Sequence, residues 1–163
     1  MPFTPFHFGP GLLLKSVAPA RVSFTAFCAA QVLIDLESAY HLFRGDWPVH
    51  RELHSLLSAA AVGIMAGSGT WLAGSWIVPT RREALDAEVQ WRPALLGGTA
   101  GGASHPLLDG IMHSDVRPFW PFSTANPPLD VMSLTWLHGA CVAAGVLGLV
   151  LFKIRSHALS RDR

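Results

Sequence analysis

The chain has 163 residues, half of them apolar and only 14% charged, with a formal net charge of +1. Soluble proteins carry roughly a quarter charged residues, so this composition points to a chain whose solvent is largely lipid. A balance so close to neutral argues against a nucleic-acid partner, which calls for clustered Lys and Arg. The length is that of one domain, 1–163, expected as an integral-membrane helical unit.

Five apolar segments follow in chain order. The first, about 7–17, is short and contains glycine. Thr4 and Pro5 supply a cap and a first-turn residue, so it reads as a short helical or half-crossing segment. MPFTPFHFGP before and within it lacks the basic and long apolar regions of a cleavable signal. The second, about 21–43, contains Asp35 and Glu37. The third, about 47–78, starts with Asp46 as cap and Pro48 in its first turn. Residues 53–80 carry no Lys, Arg, Asp or Glu, more than the about 20 apolar residues that cross a bilayer. The fourth, about 93–113, opens on Gly97, Gly98, Gly101 and Gly102, two GxxxG spacings that let a helix approach closely. The fifth, about 132–152, ends on Lys153 and Arg155. No segment alternates with a period of 2, which argues against a barrel. Cys28 and Cys141 lie in apolar segments without a CxxC pattern and read as small core residues. The expected fold is an all-α, polytopic membrane helix bundle of about four transmembrane helices plus the short N-terminal segment.

If the segments alternate across the bilayer, one side receives nine basic residues: Lys15, Arg21, Arg81, Arg82, Arg92, Lys153, Arg155, Arg161 and Arg163. The other receives three: Arg44, Arg51 and Arg117. The richer side is cytoplasmic by the positive-inside rule, so the C-terminus is expected in the cytoplasm.

This topology gathers ionisable residues at one depth, near the outer face. Asp35 comes from the second segment, His50 and His54 from the third, His105, Asp109 and His113 from the fourth, and His7 from the first. His50 and His54 are four residues apart, one helical turn, as are His105, Asp109 and His113. Neutral imidazole and carboxylate are the usual ligands of zinc, and mixed His/Asp sets also accept manganese or iron. An Asp inside the membrane costs about 2.5–3.5 kcal/mol on insertion scales and needs a partner, which a divalent ion provides. The expected metal ligands are therefore His7, Asp35, His50, His54, His105, Asp109 and His113, around one or two ions, zinc foremost. Glu37 stays ambiguous, because a helix turns it about 200° from Asp35. His138 reads as structural or supporting, and His41 and His157 as interfacial. Bis-histidine haem ligation by His54 and His105 is an alternative that leaves both aspartates unexplained.

The stretches FHFG around His7, LIDLES around Asp35, HRELHS at 50–55 and SHPLLDGIMHSDVRPFWPFS at 104–123 resemble the predicted membrane-bound, metal-dependent hydrolases, small proteins of the bacterial inner membrane. The resemblance implies a hydrolase. More distantly, the order His7, Asp35, His50 or His54, His105 with Asp109, then His113 is similar to zinc-dependent phospholipase C and single-strand nuclease. Their further HxxxE pair has no counterpart, since Val142 stands four residues after His138.

The expected function is metal-dependent hydrolysis of a phosphoester or lipid-linked substrate by a metal-activated water. Asp35 or Asp109 would orient that water as base, and Arg51 would pair with a phosphate oxygen. There is no G-x-S-x-G elbow, and no cysteine lies near the histidines, so no covalent nucleophile is evident. The alternative is a non-catalytic metal-binding membrane protein or transporter.

Overall fold

Ser23 and Gly45 bound the first long helix by local chemistry. The Ser23 hydroxyl accepts from Ala26 N at 3.1 Å, and Gly45 takes the left-handed conformation (φ 72°) that closes the other end. The computed structural model describes residues 5–77 and 86–161, and these contain helices and turns but no strand. The helices are α1 (Phe8–Val17), α2 (Phe24–Arg44), α3 (Leu56–Ile77), the short α4 (Asp86–Val89), α5 (Trp91–Met112) and α6 (Leu134–Arg161). A 3-10 turn, Pro5–His7, leads into α1, and another, Glu52–His54, precedes α3. Thr4, and Arg81, Arg82 and Arg163 of the orientation argument, lie outside the described residues.

The third segment departs from expectation. Residues 47–55 are not the first turns of a helix but a loop ending in a 3-10 turn. Asp46 does not cap α3. It lies 3.2 Å from His41 Nδ1 and 3.4 Å from Arg44 Nε, at the end of α2. The hydroxyl that accepts from the first turn of α3 is that of Ser55, from Ser58 N at 3.3 Å. Two carboxylates outside the segment hold this loop instead, as described below.

α5 runs between α2 and α3, and its glycines make that possible. A Cβ on Gly97 or Gly101 would collide with the backbone carbonyls of Ser23 and Phe27 in α2 or its cap. One on Gly98 or Gly102 would collide with those of Gly63 and Ala59 in α3. The two GxxxG spacings thus serve two different neighbours on adjoining faces. The buried face of α5 continues in the same register through His105, Pro106, Asp109 and Gly110. The close approach that the glycines permit therefore carries His105 and Asp109 into the space between α2 and α3. α1 packs chiefly on α6, where a Cβ on Gly9 would strike the Cys141 carbonyl. Cys141 is buried and free, as its apolar setting implied.

Only α3 and α6 are long and apolar enough, among the described residues, to cross a membrane on composition: mean hydropathy is 1.5 over Leu56–Trp76 and 1.9 over Leu134–Ala158. Just 22% and 17% of these windows is buried, so neither is the core helix of a water-soluble protein. The expected four spans are thus not all evident by this measure. α2 and α5 fall short because they carry Gln31, Asp35, Glu37, His105, Asp109 and the packing glycines.

The packing predicts that Gly98→Val costs about 1–3 kcal/mol through overpacking. Gly69→Val, with nothing within 4 Å of its Cβ position, should be neutral. Thermal unfolding of the two variants in detergent checks this, and equal midpoints would contradict the packing.

Candidate metal centre

Asp35 of α2, His54 of the loop before α3, and His105 and Asp109 of α5 are all buried, and each offers a ligand atom within 4.8 Å of every other. Asp109 is the hub. Its Oδ2 lies 3.2 Å from His105 Nε2 and 3.5 Å from His54 Nε2, and its Oδ1 lies 3.4 Å from His7 Nε2. Asp35 Oδ1 is 3.4 Å from His105 Nε2. Four ligands held tetrahedrally about 2.0–2.1 Å from an ion stand about 3.3–3.4 Å from one another, so these contacts have the length of a zinc polyhedron's edges.

The proton inventory decides what these contacts are. The Gln31 amide donates to the Gly101 carbonyl and to Ser104 Oγ, both at 3.2 Å, which turns its oxygen towards His105 Nδ1. That nitrogen therefore carries a proton, and in the neutral ring His105 Nε2 presents a lone pair. His54 Nδ1 faces Glu37 Oε2 at 3.1 Å, so in the neutral ring its Nε2 is also a lone pair, reached by the Ser38 hydroxyl at 3.2 Å. His105 Nε2, His7 Nε2 and Asp109 Oδ1 are buried and lack a hydrogen-bond partner among the described residues. With both rings neutral, lone pairs and carboxylate oxygens converge without protons between them, an arrangement that a divalent cation would satisfy. Carboxylate or amide oxygens on the far nitrogen are also the usual means of orienting a metal-binding histidine. The residues present fit a divalent ion.

A second group adjoins the first. His50 Nδ1 is 3.0 Å from Asp115 Oδ1, and the Asp115 carboxylate also accepts from the backbone of Val49 and His50. The His50 ring stacks on His113 with centroids 4.3 Å apart and meets His54 edge-on at 4.7 Å. Burial, then the neighbouring His54 ring, holds His50 below its ordinary pKa against the pull of Asp115, and burial does the same for His113. Both rings are kept in the neutral form that a metal accepts. Burial would raise Asp115, but the His50 backbone and ring outweigh it and keep the carboxyl below its usual range.

Of the seven expected ligands, Asp35, His54, His105 and Asp109 come together, with His7 against Asp109. His50 and His113 stand one ring further out with Asp115. Two parts of the spacing argument are corrected. His50 and His54 meet through a folded loop rather than on a helical face, and His113 lies beyond the last turn of α5 as its cap residue. Arg51 does not reach the cluster: its guanidinium donates to the Pro48 carbonyl at 2.9 Å and faces an outer cavity. The haem alternative fails on space, because Asp109 Oδ2 lies against both His54 and His105, whose ring centroids are 5.1 Å apart.

Sequence reasoning missed Gln31, Ser38 and Asp115 and left Glu37 open. The first two lie at helical spacing from Asp35 and form a polar stripe on the buried face of α2, a signal that was present. Glu37 points elsewhere because its partners, His54 and the backbone of Arg51 and Leu53, sit in the loop taken for helix.

Residues 10–159 match the family model described as YdjM inner membrane protein. The chain belongs to the YdjM inner membrane protein family. No curated protein and no solved structure matches it. Membership places this family member in the inner membrane, in line with its exposed apolar α3 and α6. The match covers every candidate ligand except His7.

Asp109→Ala should strip bound metal, and Glu37→Gln should weaken it about 10–100-fold by loosening His54. His157→Ala, on the exposed end of α6, should leave it unchanged. Metal content by mass spectrometry and competition with a chromophoric chelator give these values. Retention by Asp109→Ala would refute the assignment.

Proposed function

We propose that this protein is a multi-pass, metal-dependent hydrolase of the inner membrane, acting on a phosphoester or lipid-linked substrate. One observation carries the reading: buried, unpartnered imidazole and carboxylate lone pairs from several chain segments converge on one point. His54, His105 and Asp109 would hold the ion, with Asp35 and His7 completing the set. The all-nitrogen-and-oxygen donors suit zinc and also admit manganese or iron. Such an ion lowers the pKa of a bound water and offsets charge on the leaving oxygen.

Asp109 engages both oxygens with histidines, whereas Asp35 engages His105 through Oδ1 alone. Asp35 would therefore hold the ion through one oxygen and take a proton from water with the other, while Asp109 would serve as ligand alone. Glu37 and Gln31 fix the imidazoles so that their Nε2 atoms stay available. Arg51, outside the cluster, is placed to meet an anionic part of the substrate.

α2 and α5, at 21 and 22 residues, are about 31–33 Å long and can cross a hydrocarbon core of about 30 Å once their polar faces are buried on each other. With α3 and α6 they make four spans, and α1, at about 15 Å, crosses half. The excess of Lys and Arg on one side then sets the C-terminus in the cytoplasm and the metal cluster near the outer face.

In a chain with Cys28 and Cys141 replaced by alanine, Asp46→Cys and Pro121→Cys should react with an impermeant thiol reagent from outside intact cells. Reaction only after lysis would invert the orientation. For the chemistry, metal-replete protein in vesicles is given phospholipids, lipid pyrophosphates and soluble phosphodiesters. Hydrolysis should disappear with chelator, and also in Asp35→Asn at retained metal content. Bound metal with no turnover of any substrate would replace this reading by the non-catalytic metal-binding or transport one.

A further inference from the structure

His50 lines one cavity and His113 another, and the two rings stack on each other. The first, about 380 Å³, is lined by Pro48, His50, Arg51, Glu52, Arg117 and Trp120. Its lining holds two guanidinium groups and the Glu52 carboxylate, and the Arg51 guanidinium also faces Asp46 at 4.0 Å. Arg51 is fixed there by the Pro48 carbonyl, while the Arg117 side chain is exposed and has no hydrogen-bond or ion-pair partner among the described residues. The second cavity, about 580 Å³, is walled mainly by apolar side chains, among them Phe6, Ile111, Met132 and Leu134, with His113, Asp130, Ser133 and His138 as its polar members. His138 stacks on Phe6 at 4.2 Å, and its buried Nε2 has no hydrogen-bond partner among the described residues.

A cationic cavity and an apolar one are thus linked by two stacked imidazoles, and one of these, His50, also touches the His54 ring of the metal cluster. We propose that the site takes a single-headed amphiphile, with a phosphate-bearing headgroup between Arg51 and Arg117 and the apolar chain in the cavity of Phe6, Met132 and Leu134. The proposal deepens the hydrolase reading and rests on it for the chemistry, but not for the binding. Arg117 is the specificity-determining residue, because Arg51 is already committed to the backbone and a guanidinium pairs with phosphate through two parallel hydrogen bonds. The buried His138 Nε2, without a hydrogen-bond partner among the described residues, is positioned for an oxygen at the start of the chain, such as an ester carbonyl or hydroxyl.

The test uses the full-length, metal-loaded protein in detergent, titrated calorimetrically with octyl phosphate, inorganic phosphate and octyl glucoside. Octyl phosphate should bind at least about tenfold more tightly than either of the others, each of which satisfies one cavity only. Arg117→Gln should weaken octyl phosphate and inorganic phosphate alike, by about tenfold, the loss of a charge-assisted hydrogen bond. Leu134→Ser should weaken octyl phosphate alone. Metal content is measured on every sample, so loss of the ion is seen separately from loss of the headgroup subsite. Unchanged octyl phosphate affinity in Arg117→Gln at full metal content overturns the proposal. So does inorganic phosphate binding as tightly as octyl phosphate, which would leave the apolar cavity without a role.

Discussion

Backbone contact between α5 and its two neighbours is the constraint on which the rest depends. Without side chains at positions 97, 98, 101 and 102, α5 lies against α2 and α3 at carbonyl distance. The same face, two turns on, holds His105 and Asp109. Imidazole and carboxylate arms are short, and ligands from different helices meet around one ion only if the helix axes are drawn together. In lipid there is little hydrophobic drive between helices, so close van der Waals packing of small residues has to supply it.

Burial at that depth gives the polar residues their meaning. A carboxylate in a low-dielectric interior is strongly unfavourable unless it is paired or binds metal. Here Asp109 faces three imidazole nitrogens, and the proton positions set by Gln31 and Glu37 leave lone pairs facing it. Within the loop 46–55, Arg51 donates to the Pro48 carbonyl, and two carboxylates from outside the loop hold the rest. Glu37 accepts from the backbone of Arg51 and Leu53, and Asp115 from that of Val49 and His50. Each carboxylate thus fixes a stretch of chain and a histidine ring together, and the loop's fold and the site's geometry are one arrangement.

Most of the fold and the centre of the site were legible in the sequence, because helical spacing is a local property. His105 and Asp109 on one face, the glycine pairs, the apolar runs of α3 and α6, and Asp35 as an acid within an apolar segment all follow from it. What the spacing could not show came from long-range hydrogen bonds. His50 and His54 are four apart, which a helix would explain, yet carboxylates at positions 37 and 115 pull that stretch out of helical form. Glu37 looked misdirected only because its partners were assigned to a helix. Asp115 lies beyond α5 in a loop whose course depends on Asn126, which donates to the carbonyls of Gly110 and His113. No periodicity announces a residue of that kind.

The metal environment itself is the most direct test of this account. X-ray absorption at the metal edge of the purified, full-length protein reports ligand type and distance without any assumption about substrate. The arrangement of His54, His105, Asp109 and Asp35 predicts nitrogen and oxygen neighbours only, at about 2.0–2.1 Å for zinc, with imidazole outer-shell scattering from at least two rings. Sulfur ligation, an ion with water neighbours alone, or a protein purified and reconstituted without any bound divalent metal would contradict it.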